Sequence, residues 1–217
     1  MAERILAVAE SFGAGIIAMA THGRVGPERW FLGSIADQIV RGSSTPVLLM
    51  RPGADGEAAH SSIDHVILPL DGSHLAEVGL PYATVLAQRL HVPMTLVRTV
   101  DPTALMSGSD SLGDGPSPEL YDLLESDAKE YLEGMASSMR NSGIETYQAS
   151  GLRPPVGEII DRAHSTGHAL VVMSTHGRSG LGRTVLGSVT DRVIRSSEAP
   201  VLVVRPADDM VDEGDGQ

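Results

Sequence analysis

The run S-T-H-G-R-S-G-L-G-R-T-V-L-G-S-V-T-D-R-V-I-R, residues 174–195, decides how the rest of the chain is read. The apolar residues just before it, ending at Met173, suit a buried strand, and Thr175, His176 and Gly177 break that strand into a loop. Gly177, Gly180 and Gly182 then remove side chains where a ligand or a tight backbone needs room. Gly187 and Ser188 lead into an apolar-periodic helix, and Ser188 with Asp191 reads as a capping box that fixes the first N–H groups of that helix. Strand, glycine loop and helix N-terminus together make anion-binding geometry. The same residues also suit a plain turn with a cap.

A second copy sharpens the pattern. At an offset of 154, residues 19–52 match residues 173–206 at 18 of 34 positions, so the chain contains an internal repeat. Residues 16–20 and 46–50 read as strands, with helices over 4–11 and 34–41, the second opened by a Ser34 and Asp37 capping box. The copy lacks what precedes its last two helix and strand units, which leaves an open strand edge and predicts aggregation or unusual assembly.

Residues 63–206 hold the complete unit. An apolar strand at 65–70 ends in P-L-D-G-S, and helix 74–90 and strand 94–100 follow. The stretch 101–117, rich in Gly, Ser, Asp and Pro, reads as a surface loop. Ser117 and Pro118 open a long amphipathic helix to about residue 139, whose Met135 and Met139 belong to its core stripe. Strand 146–150, helix 155–165, strand 169–173 and a last strand 201–204 complete the alternation. Such alternation predicts an α/β fold, with a parallel sheet and right-handed crossovers. Its ligand crevice is expected beyond the carboxyl ends of the strands at the switch point of strand order, where Asp71, the strand end from Arg98 to Val100 and the glycine loop can converge. Residues 53–62 read as a linker and 207–217 as a disordered acidic tail.

Composition narrows the function. The 217 residues contain no cysteine, which excludes disulfides, thiolate metal sites and cysteine nucleophiles. No apolar run approaches the roughly 18 residues of a membrane span. The first residues lack a signal-peptide pattern, so a cytoplasmic protein without a membrane partner is expected. A net charge of −12, a single lysine (Lys129) and 3% aromatics argue against a nucleic-acid surface. No metal-ligand spacing such as H-E-x-x-H occurs.

The P-L-D-G-S after the first strand, the T-H-G-R loop, the nine residues between Gly177 and Gly187, the following Ser188 and the closing P-V-L-V-V resemble the universal stress protein family. The resemblance covers residues 63–206 and, in residues 3–52, the last part of a second unit, as in a tandem protein with a truncated first domain. It implies a Rossmann-like sheet of five parallel strands flanked by helices, preceded by a partial repeat of the same fold. It implies dimerisation through the last strand and, in one subclass, ATP binding with Mg²⁺ carried by the nucleotide. Carried over by position, Pro69, Leu70 and Asp71 meet adenine and Thr99 flanks it. Gly177, Gly187, Ser188 and Val189 offer N–H groups to the phosphates, and Ser174, His176, Arg178, Gly180 and Thr190 complete the set. Where the ATP-binding pattern begins with glycine this chain has Ser174, and Ala20 in the copy.

Little in the sequence points to catalysis. There is no Walker signature, and Lys129 lies on the long helix, away from the loop. Asp71, Ser73 and His74 are triad residue types, but sequence neighbours rarely form a triad. The sequence therefore predicts an ATP-binding stress or signalling module with one nucleotide site per chain and at most slow hydrolysis. The alternative is an interaction module that binds no nucleotide. The segments from Pro46 to Met50 and from Pro200 to Val204 are expected to join two chains as a homodimer, or to pair inside one chain as a pseudo-dimer.

Overall fold

The computed structural model describes residues 1–21, 32–51, 62–102, 117–175 and 186–206. Most of the expected linker, the acidic tail, most of the 101–117 loop and the middle of both glycine loops lie outside the described residues.

The strands are β1 (Ile17–Ala20), β2 (Val47–Met50), β3 (His65–Pro69), β4 (Met94–Val100), β5 (Thr146–Leu152), β6 (Ala169–Ser174) and β7 (Val201–Val204). The helices are α1 (Ala2–Ser11), α2 (Ser34–Gly42), α3 (His74–Glu77), α4 (Leu80–Leu90), α5 (Pro118–Asn141), α6 (Pro155–Thr166) and α7 (Ser188–Ser196). All seven strands join one sheet in the order β1-β2-β7-β6-β3-β4-β5, and every pairing is parallel except that of β2 with β7. The five parallel strands of the complete unit are present, and the partial copy extends their sheet by two.

Burial explains the strand composition. Every residue of β6 is buried, because β6 is flanked by strands and covered on both faces, and its A-L-V-V-M-S sequence is apolar almost throughout. One face carries Ile67, Val97, Val171, Met173 and Val201 against Ile159 and Ala163 of α6 and Val193 of α7. The other carries Val66, Leu68, Leu96, Leu170, Val172 and Leu202 against Ala83 and Ala87 of α4 and Leu132 and Ala136 of α5. The alternation along β4 thereby assigns Val97 and Leu96 to opposite cores.

The β2–β7 contact is two-fold about its own centre. Its register is Val47↔Val203, Leu48↔Leu202 and Leu49↔Val201, and the offset of 154 makes Leu48 and Leu202 the same position in the two copies. Polar contacts repeat the symmetry. Arg51 Nη2 donates to the Arg195 carbonyl at 3.1 Å, while Arg205 Nη1 donates to the Arg41 carbonyl at 2.6 Å. Each arginine satisfies a carbonyl in the last turn of the other copy's helix, where a cation is favoured. Asp37 pairs with Arg41, and Asp191 with Arg195, both at 2.9 Å.

Three local expectations are corrected. The helix expected over 74–90 is two helices, because Pro81 has no N–H to give the Glu77 carbonyl and the chain turns at Val78 and Gly79. A Cβ at Gly79 would lie 3.1 Å from Leu68 Cδ1, so the turn also sits directly on β3. The capping boxes at Ser34 with Asp37 and at Ser188 with Asp191 do not form. The N-caps are Gly33 and Gly187 with no side-chain bond, both serines are the first helical residue, and both aspartates turn to the arginine one turn on. Ser117 does cap α5, its Oγ accepting from the Leu120 N–H at 3.3 Å.

His65, at the start of β3, shares a 2.7 Å hydrogen bond between Nε2 and Thr95 Oγ1 and stacks on Tyr147. Burial holds its pKa below the ordinary value of about 6.5, with Glu145 opposing and Arg162 assisting. The neutral ring is the folded form, so its contribution is complete above about pH 6.5 and is lost as pH falls through the folded-state pKa, since the unfolded chain takes the proton first. In urea unfolding at about pH 8 and about pH 5, the wild type should lose more stability over the interval than His65→Gln. Equal losses in both would remove His65 as the source.

Candidate functional site

The strand order reverses between β3 and β6, since the chain runs from β3 outward to β5 and then crosses back to β6 and β7. A cleft of about 250 Å³ opens there, beyond the carboxyl ends of the strands. Of the residues expected in the site, Pro69, Leu70, Asp71, Thr99, Ser174, Gly187, Ser188, Val189 and Thr190 line it. His176, Gly177, Arg178 and Gly180 lie outside the described residues. The sequence reading missed Ala76, Val97, Pro155, Ile159 and Met173, which also line the cleft. These are apolar residues whose periodicity assigns them to the core. The one available signal was that Val97 and Thr99 share a face of β4, so a ligand at Thr99 also meets Val97.

The wall after β3 is a hydrogen-bonded turn. Asp71 Oδ1 accepts from the Ser73 N–H at 2.9 Å and from Ser73 Oγ at 2.6 Å, and Ser73 Oγ accepts from the Ala76 N–H at 3.2 Å. Gly72 makes this turn at φ +86°, where a Cβ is strained. Asp71 thus builds the turn that points α3 at the cleft, besides lining the cleft itself. Behind α3, the Tyr131 hydroxyl donates to Glu77 at 2.7 Å and the Arg98 guanidinium lies 4.7 Å from the Tyr131 ring centre while pairing with Asp127 at 2.8 Å. Burial, and then the Glu77 carboxylate, push the Tyr131 phenol pKa up, so this strut stays a neutral donor.

The opposite wall is the start of α7. The Gly187 N–H, expected to face a phosphate, is donated instead to the Thr175 carbonyl at 2.7 Å, and the Thr175 N–H goes to Val204 at 2.8 Å. These bonds clamp both ends of the glycine loop to β6 and β7. Thr190 Oγ1 donates to the Ser174 carbonyl at 2.8 Å and fixes the helix to the end of β6. The first intrahelical donor is the Asp191 N–H, bonded to the Gly187 carbonyl at 2.9 Å. The N–H groups of Ser188, Val189 and Thr190 have no acceptor within the helix and lie at its positive end.

Between the walls stands a polar atom without a partner. Thr99 Oγ1 is buried and makes no hydrogen bond, although such a group normally finds one. The floor around it is apolar: Val97, Ile159 and Met173. A cleft with an apolar floor, a buried unspent hydroxyl and a set of helix N–H donors suits a ligand with a flat apolar part and an anionic part.

The model of the universal stress protein family matches residues 1–51 and 62–205. The chain belongs to the universal stress protein family. It is 31% identical over 199 residues to a universal stress protein of Mycolicibacterium smegmatis, covering 90% of this chain and 63% of that one. It is 27% identical over 140 residues to a universal stress protein of Methanocaldococcus jannaschii, covering 64% of this chain and 81% of the relative. Among solved structures, a universal stress protein from Archaeoglobus fulgidus superposes over 95% of this chain and 67% of its own, with a TM-score of 0.71 at 21% identity. A protein described as hypothetical protein MJ0577 superposes over 67% of this chain and 97% of its own, with a TM-score of 0.59 at 26% identity. Mixed α/β architecture with a mostly parallel sheet is therefore common to this universal stress protein and its structural neighbours. Among the described residues no helix is long and apolar enough to cross a membrane.

Thr99 yields a prediction that needs no ligand. An unpartnered buried hydroxyl costs about 1–3 kcal/mol, so replacing it by an isosteric methyl should not weaken the fold. Thr99→Val should be as stable as the wild type or about 1 kcal/mol more stable in urea. Thr190→Val, which loses the bond to Ser174, should be about 1–2 kcal/mol less stable. A loss of stability in Thr99→Val as large as that in Thr190→Val would mean that the Thr99 hydroxyl is satisfied in solution.

Proposed function

We propose that this chain is an ATP-binding universal stress protein, a stress-response and signalling module in which nucleotide sets shape or partner. The observation that carries it is the pairing, in one cleft, of the unspent Thr99 hydroxyl with the free N–H groups of Ser188, Val189 and Thr190. The residues fit the group. Pro69, Leu70, Val97 and Ile159 offer apolar contact to a purine and Thr99 a hydrogen bond, while the α7 N-terminus receives phosphate charge. The cleft, just under the roughly 300–1,000 Å³ usual for small-molecule sites, suits the base and sugar, leaving the phosphates at the open end beside α7. Mg²⁺ comes with the nucleotide, since its preference for phosphate oxygens and water needs no dedicated protein cage.

Hydrolysis is at most slow. The cleft's described lining carries one ionisable side chain, Asp71, and its Oδ1 is engaged in the Ser73 turn, so it is poorly disposed to take a proton from water. The glycine-loop sequence holds no lysine of the kind that phosphoryl-transfer loops use.

A calorimetric titration of the chain with ATP and Mg²⁺ tests the proposal. Saturable binding near one site per chain is expected, weakened roughly tenfold in Thr99→Val, with turnover far below about 10 per second. No heat and no thermal stabilisation at millimolar ATP would reject the nucleotide and leave an interaction module.

The β7 edge favours pairing inside the chain. Its hydrogen bonds are already made to β2, and the arginine contacts on either side are reciprocal, so a second chain finds no open β7. Light scattering should give a monomer, while a dimer that persists on dilution would assign the seam to two chains.

A further inference from the structure

The α3 wall of the cleft is too short to hold its own shape. α3 has four residues, a single turn, and a lone turn is not stable by itself. The break at Gly79 and Pro81 separates it from α4, so the rigidity of that longer helix does not pass back along the backbone. Yet this wall carries two residues of the cleft lining, Asp71 in the turn before α3 and Ala76 within it. Its place depends on what pins each end of α3.

The first end is pinned locally, by the bonds among Asp71, Ser73 and Ala76. The last end is pinned from a distance. Glu77, the final residue of α3, accepts the Tyr131 hydroxyl at 2.7 Å from the middle of α5. Its other neighbour, His74, lies 3.4 Å away with a side chain that stands in solvent, and an exposed pair of that kind contributes little.

The Tyr131 ring is itself held. The buried Arg98 guanidinium lies over it at 4.7 Å and is fixed by Asp127, one turn earlier on α5. Arg98 precedes Thr99 on β4, and strand alternation sends Thr99 into the cleft and Arg98 toward α5. The strut is thus anchored on the strand that carries the cleft floor. Electrostatics also place it beside the site. Burial first, and then Glu77, push the Tyr131 phenol above its ordinary pKa; Arg98 opposes them, and the Asp71 carboxylate of the cleft wall adds to the push.

We propose that Tyr131 is a positioning residue of the cleft: its hydroxyl bond to Glu77 fixes the tilt of α3, and so the place of Ala76 beside the Asp71 turn, a role that rests on the nucleotide reading given above. Tyr131 stands behind the wall and outside the lining. Without its hydroxyl the ring stays under Arg98 but the end of α3 is free, and a ligand must then order the wall as it binds, at a cost in affinity.

Two measurements on the full chain test this. Hydrogen exchange at the Ala76 and Glu77 N–H groups, which bond to Ser73, needs no ligand. In Tyr131→Phe these amides should exchange at least roughly threefold faster, while the α4 amides and the circular dichroism match the wild type. In calorimetric titration with ATP and Mg²⁺, Tyr131→Phe and Glu77→Met should each bind roughly fivefold to tenfold more weakly. The double variant should bind no more weakly than either single one. Glu77→Gln, whose carbonyl still accepts the hydroxyl, should recover most of the loss seen in Glu77→Met. Tyr147→Phe loses a matching hydroxyl bond, to Glu145 at the edge strand β5, and should leave both measurements unchanged. Unchanged α3 exchange in Tyr131→Phe would overturn the proposal whatever the ligand. So would wild-type affinity in that variant, additive losses in the double variant, or equal weakening by Tyr147→Phe. A wild type that gives no heat with ATP rejects the nucleotide reading instead, and the exchange measurement then still decides whether Tyr131 holds the wall.

Discussion

The antiparallel seam between β2 and β7 is the contact on which the arrangement of this chain depends. A β7 strand at the end of a five-stranded sheet would present a row of unpaired N–H and C=O groups, and its apolar side chains Val201 to Val204 would be open on one flank. The partial copy closes that edge with a strand of nearly the same sequence, and two-fold symmetry follows because the same surface must fit itself. The reciprocal bonds of Arg51 and Arg205 then fasten each helix end to the opposite copy. The bond to the Arg195 carbonyl holds the Arg51 guanidinium in a half-buried place, where burial lowers its pKa and Glu198 opposes that shift. The seam leaves the crevice end of the complete unit untouched, since the cleft is two strands away, between β6 and β3.

The two ends of the glycine loop are where sequence and structure agree in plan and differ in detail. The strand before it and the helix after it follow from composition and periodicity, and so do the strand ends, which lie within two residues of those expected. Cap chemistry was not legible, for a physical reason. A serine one place before a helix and an aspartate three residues on fit a capping box, yet they equally fit a first-turn serine with an aspartate that reaches forward to an arginine at the next turn. Asp191 takes the second, its Oδ2 paired with Arg195, and the helix opens at a Gly187 N-cap whose N–H is bonded to the Thr175 carbonyl. The break at Gly79 was legible in part: an apolar stripe continues through it, but Pro81 lacks the N–H a continuous helix needs, while the close approach to Leu68 is visible only in the structure. The apolar floor of the cleft escaped for a simpler reason, since Val97, Ile159 and Met173 obey the same pattern as any core residue.

Polar economy distinguishes the cleft from the rest of the sheet. The buried Glu158 is held by two arginines, Arg153 and Arg162, both at 2.7 Å, and the buried His65 by Thr95. Groups of this kind complete their own hydrogen bonding and ask nothing of a ligand. Thr99 does not, and it stands at the mouth of the strands where the fold class places ligands. Two further features bear on what such a ligand meets. The α7 wall presents backbone N–H groups, which favour negative charge whatever group carries it. The other wall is an Asp71 turn whose own bonds fix its shape before any ligand arrives.

Strand alternation also bears on the serine that stands in place of glycine. Along β6, Val171 and Met173 belong to the core shared with α6 and α7, and Leu170 and Val172 to the core under α3 and α4. Ser174 follows the second set, so its Cβ points toward the α3 side, whereas Val97, Thr99 and Ile159 approach from the α6 side. Its carbonyl is committed to the Thr190 hydroxyl, a bond that a glycine would make equally well. The Cβ of Ser174 thus lies on the α3 flank of the cleft, away from the apolar floor. In this geometry the change from glycine narrows the α3 flank of the cleft and leaves the Thr99 flank and the α7 N-terminus as they are.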